Sequence, residues 1–440
     1  MTDAFSADAA RALGGPDWLV ARRVAAVDTL AGLSWPTADE EIWRYSRIGD
    51  LDLDRFRPFQ ESELGRPGDE RAPGGGPWAA EAGPHAAMVV VRDGHVVHHE
   101  VDPGLEAKGV RVCDIATCEG DDVCDLLGAA SCSSEDAFTV LHDAFLAGGA
   151  FVQIPPGVVV EDPILVLHWC EGDGRASFPH TVVSLGERAQ ATVLDRFGSP
   201  GTDHLVDAVT ELLVADDAHL RYLSIQQHGA RTWHLGLQRA LVGRNATVKT
   251  SAVALGGDYA RLRSETVLQG EGGESDQLAV YFADGAQMLD FRTLQDHDAP
   301  RTRSDLLFKG AVEDVARSVY SGLVHLRPTA QKANAFQTNR NLVLSEGASA
   351  ESIPNLEIEA NDVKCSHAST VGPIDDDQLY YLESRGIPPE DAERLIILGF
   401  FDDVLERLPV SSLSDGLRRS VVDKLEHRRV GGDKSRRTRG

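Results

Sequence analysis

LGERAQATV, at residues 185–193, is the first of three stretches that share one pattern, the others being VADDAHLRY at 214–222 and VGRNATVKT at 242–250. In each stretch an apolar residue is followed by a polar turn, an alanine and a further strand-like run. The alanines are Ala189, Ala218 and Ala246, which lie 29 and then 28 residues apart. A strand-and-turn unit that returns at a near-constant period is typical of a solenoid, whose coils stack on their neighbours.

Two later stretches resemble the same unit at irregular spacing, FADGAQM around Ala286 and LSEGASA around Ala348. Around them the chain consists of short β-branched runs separated by Gly, Asp and Asn. We therefore predict a mainly β fold, a parallel β-helix over residues 150–372. A two-sheet β-sandwich is the competing fold, but sandwiches seldom keep a near-constant period with alanine at one place in the turn.

Residues 1–149 are predicted to form an N-terminal helical region with a linker and a small hairpin. The run TADEEIWRYSRI predicts a helix that Thr37 caps, with Glu40 in capping-box position. The stretch RPGDERAPGGGPW is rich in Gly, Pro and charge, which indicates an exposed linker. AAMVVVRDGHVVHHEV alternates around Asp93 and Gly94, a favoured hairpin turn, and SSEDAFTVLHDAFLAGG predicts a further helix.

Residues 373–426 are predicted to form a C-terminal helical region, and residues 427–440 a basic, disordered tail. The two predicted helices are DDDQLYYLESRG and PPEDAERLIILGFFDDVLERL. The second carries an apolar stripe that comprises Leu395, Ile396, Leu398, Phe400, Phe401, Val404 and Leu405. Two interpretations of this stripe stay open, packing against the end of the solenoid and binding of a partner protein.

The composition excludes several classes of function. A formal charge of -26 argues against nucleic acid as the main partner, because binding a polyphosphate requires a cationic surface. The start MTDAFSADAARALGG lacks the pattern of a secretory signal, and no run of about 18 apolar residues predicts a membrane span. We expect a cytoplasmic protein whose six cysteines are mostly reduced thiols.

Four cysteines lie close together in the N-terminal region. They are Cys113, Cys118, Cys124 and Cys132. Their spacing, C-x4-C-x5-C-x7-C, lacks the C-x2-C pairs of zinc and cluster sites. We therefore expect these residues to pack as small apolar side chains, as free cysteines often do.

A candidate chemical site lies in NDVKCSHAST, at residues 361–370. If this segment is a strand, Cys365 and His367 leave the same face, so thiol and imidazole stand side by side, with Lys364 on the other face. Two ligands do not complete a tetrahedral metal site. Any metal or sulfur chemistry here requires further ligands from elsewhere.

Several catalytic motifs are absent from the sequence. It contains no G-x-x-x-x-G-K-[ST] phosphate loop, no G-x-S-x-G elbow and no H-E-x-x-H. A β-helix with scattered carboxylates could belong to a polysaccharide-cleaving enzyme. That alternative predicts a secretory signal and aromatic sugar platforms, whereas aromatic residues make up 6% of this chain.

One long stretch of the chain resembles the core signature of the SufB/SufD family of iron-sulfur cluster assembly proteins. It runs from YSGLVHLRPTAQKANAFQTNRNLVLSEGASAESIPNLEIEANDVKCSHASTVG through DDDQLYYLESRGI. The segments IPPGVVVEDPI, FPHTVVSLGERAQATV and EEIWRYSRI also resemble family segments. The resemblance therefore reaches from the helical start to the helical end of the chain.

Within the family, Lys364-Cys365-Ser366-His367 resembles the SufD branch, whereas SufB members tend to carry Cys-Glu-His here. Two departures are visible, Asn361 where aspartate is common and Ala368 where glycine is common. A third is Ile42, inserted into an otherwise SufD-like Glu-Trp-Arg-Tyr segment. None of these changes removes the thiol or the imidazole.

The resemblance implies a right-handed parallel β-helix flanked by helical regions, a heterodimer with SufB through the β-helix, and the SufC ATPase docked on the C-terminal helices. It implies a scaffold that is not itself an enzyme. The expected SufC contacts are Leu395, Phe400 and Phe401. When alone, the chain could form a homodimer. A flavin binds some family complexes, but this sequence carries no G-x-G-x-x-G fingerprint.

The resemblance also assigns the chemical site. The family's nascent cluster forms where the two β-helices meet, with a cysteine from SufB and the histidine that corresponds to His367. His367 would offer a ring nitrogen to iron or to the transient cluster, with Cys365 beside it. Two alternatives stay open, a SufB-like direct scaffold and a purely structural subunit whose Cys-His pair carries no chemistry.

Overall fold

The computed structural model describes residues 3–63, 76–118, 120, 122–131 and 136–436. Strands account for 42% and helices for 24%, and the strands form a parallel β-solenoid of about 8 turns. The predicted fold class, a mainly β parallel β-helix flanked by helices, is therefore confirmed, and the β-sandwich is excluded. None of the described helices combines the length and the apolar character that crossing a bilayer requires.

The strands are short before the solenoid and mostly 8–11 residues long within it. In chain order they are β1 (Arg57–Pro58), β2 (Ala87–Arg92), β3 (His95–Val101), β4 (Arg111–Asp114), β5 (Gly149–Ile154), β6 (Ile164–Trp169), β7 (Arg175–Ser177), β8 (His180–Leu185), β9 (Gln190–Gly198), β10 (His204–Val214), β11 (His219–Gln227), β12 (Thr232–Val242), β13 (Thr247–Ala254), β14 (Tyr259–Leu268), β15 (Glu274–Ala283), β16 (Met288–His297), β17 (Arg303–Val312), β18 (Arg317–Leu326), β19 (Asn334–Val343), β20 (Ser349–Ile358) and β21 (Lys364–Gly372).

From β8 onward, successive strands alternate between two sheets. Sheet 1 has the order β20-β18-β16-β14-β12-β10-β8-β5-β4, with β7 beside β10 and β1 beside β7, and sheet 2 has the order β21-β19-β17-β15-β13-β11-β9-β6-β2-β3. The coil-to-coil pairs are parallel, whereas β2–β3 and β4–β5 are antiparallel. Each coil therefore contributes one strand to each sheet.

The alanine repeat marks one corner of the solenoid. Ala189, Ala218 and Ala246 are fully buried. Each ends the turn that leads from sheet 1 into sheet 2, and the strands that follow pair in register, Gln190 with His219 and His219 with Thr247. The 29- and 28-residue steps in the sequence are therefore the lengths of single coils.

The two later copies of the repeat belong to the opposite corner, so their assignment to the same series is wrong. Ala286 and Ala348 lie in turns that lead from sheet 2 back into sheet 1. Ala348 stacks on Ala316 through the register of Arg317 with Ser349. Ala286 is exposed and lies one residue before the position equivalent to Ala316 and Ala348.

The helices lie at the two ends of the chain. They are α1 (Ala7–Ala12), α2 (Asp17–Leu30), α3 (Gly76–Ala82), α4 (Pro103–Glu106), α5 (Asp122–Leu126), α6 (Ala137–Phe145), α7 (Asp376–Ser384), α8 (Pro389–Leu405) and α9 (Ser414–Arg436). Helices α6, α7 and α8 were predicted. Helix α9 passes through the boundary predicted at residue 427. Most of the predicted linker, residues 66–75, lies outside the described part of the chain.

The helix predicted from Thr37 is wrong. The Glu40 carboxylate does accept from the Thr37 amide at 3.0 Å, but only a single 3₁₀ turn, Glu41–Trp43, follows. Arg261 donates to the carbonyl oxygen of Ile42 at 2.7 Å and lies over the Trp43 ring at 3.9 Å. Because Arg261 binds the Ile42 carbonyl group and the Trp43 ring, this segment packs onto the solenoid without forming a regular helix.

The N-terminal region covers the outer face of sheet 1. Trp43 and Phe138 pack with Leu235 in one apolar cluster. The predicted hairpin is confirmed as β2–β3, with Asp93 and Gly94 at positive φ in the turn. This hairpin extends sheet 2 beside β6.

The C-terminal helices cover the outer face of sheet 2. Phe401 of α8 contacts Phe282 of β15, with ring centroids 6.4 Å apart. Lys309 of β17 donates to Asp403 at 2.8 Å, and Lys424 of α9 pairs with Asp284. The helices therefore lie along the flank of the solenoid, so the interpretation that the apolar stripe packs against the end of the solenoid is wrong.

One expectation about the cysteines is also corrected. Cys113 and Cys118 form a disulfide, because a turn whose Cys118 amide donates to the Asp114 carbonyl oxygen at 2.8 Å brings their Cα atoms to 5.7 Å. Cys124 is a free, exposed thiol, so in the described region these residues do not converge on a metal site. Cys132 lies outside the described residues.

Candidate functional site

The last coil of the solenoid is open to solvent. Strands β20 and β21 are the outermost strands at one end of sheets 1 and 2. One coil earlier, Gln337 and Asn339 are buried, whereas their register partners His367 and Ser369 are exposed. The interior positions of the last coil therefore form a surface.

Cys365 and His367 share the face that looks into the solenoid, as the sequence predicted. They align in register with Ala335 and Gln337, which are buried. Across the interior, the Ser369 hydroxyl donates to the Ser352 hydroxyl of β20 at 2.7 Å. The thiol, the imidazole and this hydroxyl pair thus line one open face, whereas Lys364 is exposed on the other side of the strand.

The Cys365 thiol is half-buried. It packs against the apolar cluster that contains Val324, Leu326 and Ala335. This burial raises the pKa of the Cys365 thiol, because the thiolate is poorly solvated there. At neutral pH the group is therefore a thiol, and a bound cation is required to remove its proton.

A buried amide lies directly below His367. Neither amide atom of Gln337 has a hydrogen-bond partner within the described structure, and the same is true of Gln295. Buried polar groups are normally satisfied, so these amides are available to water or a ligand that enters from the open end. Sequence analysis missed Gln337, although strand alternation from His367 and one coil length would have located it.

A second group of ligands lies at the end of β20. His325, Glu357 and Glu359 bring one ligand atom each to within 4.8 Å of one another. His325 pairs with Asp296 at 3.2 Å and with Glu359 at 3.5 Å. The carboxylates of Glu357 and Glu359 are exposed, so they can bind a divalent cation or remain solvated.

The three residues predicted to contact a partner differ in exposure. Leu395 is 48% exposed, and Phe400 is half-buried with Lys309 over its ring at 4.9 Å. Phe401 is fully buried, so the prediction that its ring contacts a partner is corrected. Sequence analysis missed Tyr380 and Tyr381 of α7, which are exposed to 73% and 57%.

Comparison with known families identifies this arrangement. The model of the SUF system FeS cluster assembly, SufBD core domain, matches residues 168–400, more than half of the chain. The chain belongs to the SufBD family. The match extends from the end of β6 to Phe400 within α8, so the matched region contains Cys365 and His367.

Curated relatives agree with this family assignment. An iron-sulfur cluster assembly SufBD family protein of Mycobacterium tuberculosis is 35% identical over 332 residues, 74% of this chain and 80% of the relative. The iron-sulfur cluster assembly protein SufD of Bacillus subtilis is 30% identical over 348 residues, 78% of this chain and 79% of the relative. A SufBD family protein of Staphylococcus saprophyticus is 28% identical over 323 residues, 72% of this chain and 70% of the relative.

Proposed function

We propose that this SufBD family protein is a SufD-type scaffold subunit, which pairs with SufB through the open end of its solenoid to form a shared site of iron-sulfur cluster assembly. The observation that carries the proposal is the pair Cys365 and His367 on an uncovered interior face. This face presents two ligands, but no part of the described chain encloses them. A second β-helix would both enclose the site and supply the missing ligands.

The strand edges support a protein partner at this end. The outer edges of β20 and β21 are 10 and 9 residues long, and neither pairs with another described strand. Exposed strand edges are templates for strand addition. Phe336, Ile358 and Val371 expose apolar side chains on these last coils, which favours a protein rather than water as the neighbour.

The chemistry proposed for the site is the binding of iron and sulfide as cargo. His367 offers an imidazole nitrogen, and Cys365 offers a sulfur once a cation has displaced its proton. Two ligands hold a metal weakly, and release to an acceptor requires weak or exchangeable binding. A half-site in each subunit would therefore suit assembly better than a complete site in one.

Coupling to SufC is proposed through the C-terminal helices. Tyr380, Tyr381 and Leu395 expose apolar surface on α7 and α8, which fits a protein contact. The Phe401–Phe282 contact and the Lys309–Asp403 ion pair tie α8 to sheet 2. A movement of a docked ATPase would thus reach the solenoid. The chain lacks a phosphate loop, so the proposed ATPase activity belongs to SufC.

We also propose a cytoplasmic location. Free thiols such as Cys365 persist in a reducing compartment. The Cys113–Cys118 disulfide would be exceptional there, and counting of reactive thiols in freshly lysed cells measures its state.

The function is tested by anaerobic co-expression with SufB and SufC, followed by iron and sulfide analysis and visible absorption. We expect His367→Ala to lose at least three quarters of the cluster while the three proteins still co-purify, because one ligand of a shared site is gone. Ser366→Ala is the matched control, since it truncates the neighbouring side chain on the other face of β21. Undiminished cluster content in His367→Ala would instead support a purely structural subunit.

A further inference from the structure

A second set of ligands lies at the opposite end of the solenoid, where the β2–β3 hairpin joins the first coils. Asp93 is in the hairpin turn, Cys170 follows β6 and His204 begins β10. All three side chains are buried, with exposed fractions of 3%, 1% and 0%. One ligand atom of each, a carboxylate oxygen, a sulfur and an imidazole nitrogen, lies within 4.8 Å of the others.

The His204 ring is held in the tautomer that a metal requires. Its Nδ1–H donates to the Gly172 carbonyl oxygen at 2.7 Å, so Nε2 carries the lone pair. Nε2 points toward Asp93, with 3.9 Å between Nε2 and Oδ1. It accepts from the Ser177 hydroxyl at 2.8 Å. Metal-bound histidines typically have their second nitrogen fixed by a carbonyl in this manner.

Backbone groups fix the Asp93 carboxylate. Its Oδ1 accepts from the amides of Glu171 and Gly172 at 2.9 and 3.4 Å. These bonds tie the hairpin turn to the segment that follows Cys170. The carboxylate therefore cannot rotate away from the thiol and the imidazole without loss of two hydrogen bonds.

We propose that Asp93, Cys170 and His204 form a buried site for one divalent cation of the zinc class, with the Ser177 hydroxyl as its fourth neighbour. Tetrahedral zinc holds its ligand atoms about 3.3–3.8 Å apart, so the three groups need to approach one another by at most about 1.5 Å. Carboxylate, thiolate and imidazole together are a donor set that zinc favours.

The charges of the site balance in the bound form. A cation of charge +2 with one carboxylate and one thiolate is neutral, which removes the cost of a buried net charge. Binding releases the thiol proton to solvent. The cation would fasten the β2–β3 hairpin to β6 and β10. The site lies at the other end of the fold from His367 and does not depend on the function proposed for that residue.

The test uses the full-length chain and Co²⁺, whose absorption reports a bound thiolate. Under anaerobic, reducing conditions we expect one equivalent of Co²⁺ to produce a sulfur-to-cobalt charge-transfer band that Zn²⁺ abolishes. Cys170→Ser should reduce the intensity of this band at least tenfold. Cys124→Ser is the matched control and should keep it, because Cys124 is a free, exposed thiol outside both proposed sites.

A second variant covers the case in which Cys170→Ser does not fold. Asp93→Asn keeps an oxygen that accepts from the Glu171 and Gly172 amides but removes the charge, so it should weaken Co²⁺ binding at least tenfold with unchanged far-ultraviolet circular dichroism. The proposal is overturned if the folded parent chain develops no thiolate band. It is equally overturned if the band persists in Cys170→Ser or if Asp93→Asn binds as tightly as the parent.

Discussion

At Gly322 the interior of the solenoid leaves no room for a methyl group. A Cβ atom there would lie 2.3 Å from the Tyr320 hydroxyl oxygen and 2.7 Å from Gln337 Nε2. The Tyr320 hydroxyl is held by Thr293 at 3.1 Å, so the rigid ring cannot move aside freely. We expect Gly322→Ala to lower the free energy of unfolding by about 1–3 kcal/mol, measured by urea denaturation.

Gly399 provides the matched control for this substitution. It lies within α8, and a methyl group added there would meet no neighbouring atom of the described chain within 4 Å. Gly399→Ala should therefore stabilise the chain by about 0.5–1 kcal/mol through helix propensity alone. Equal effects of the two substitutions would mean that the packing around Gly322 is looser than the distances indicate.

At the scale of an element, α8 has one face packed on the solenoid and another that is exposed, to which we assign the proposed SufC contact. Phe401 is fully buried against sheet 2, whereas Leu395 is exposed. Phe401→Ala should therefore destabilise the isolated chain by about 3 kcal/mol or more. Leu395→Glu should leave the stability within about 0.5 kcal/mol but weaken SufC recovery on co-purification.

These two variants separate folding from docking. SufB recovery is the internal control for Leu395→Glu, because the proposed SufB contact lies on the last coil and not on α8. Undiminished SufC recovery with Leu395→Glu would move the proposed SufC contact to another surface. A mild effect of Phe401→Ala would show that α8 is only loosely attached to sheet 2.

For the whole molecule, buried neutral histidines predict sensitivity to acid. Burial lowers the pKa of His234 and of His297 to about 4. In the unfolded chain a histidine titrates near about 6.5, so below that pH the unfolded state binds the additional protons. Stability is therefore complete above about pH 6.5 and is lost as the pH falls toward 4. His297 alone should contribute a loss of about 2 kcal/mol between pH 7.5 and pH 5.

Urea unfolding at pH 7.5 and pH 5 measures this loss. His297→Gln should reduce the difference between the two pH values by about 2 kcal/mol, because the titrating group is gone. His99→Gln is the control, since His99 is exposed on β3. A pH dependence that His297→Gln does not change would assign the acid sensitivity to other groups.

The local sequence pattern correctly predicted those elements whose conformation is determined by residues within the element itself. The coil period came from the turns at Ala189, Ala218 and Ala246, and the hairpin from Asp93 and Gly94, whose backbone conformation few other residues adopt. The segment after Thr37 was mispredicted because Arg261, which is distant in sequence, binds its backbone. Helix α2 lies in the N-terminal region that was predicted to be helical.

The amino-acid order alone established the solenoid, its coil length and the common face of Cys365 and His367, because strand alternation and turn chemistry are local. Long-range packing established the rest. It left the last coil uncovered, buried Phe401 against sheet 2, and brought Asp93, Cys170 and His204 together from three separate elements. The spacing of these residues in the sequence does not predict that they converge. Their convergence depends on the order in which the coils stack and on the segments that cover each sheet.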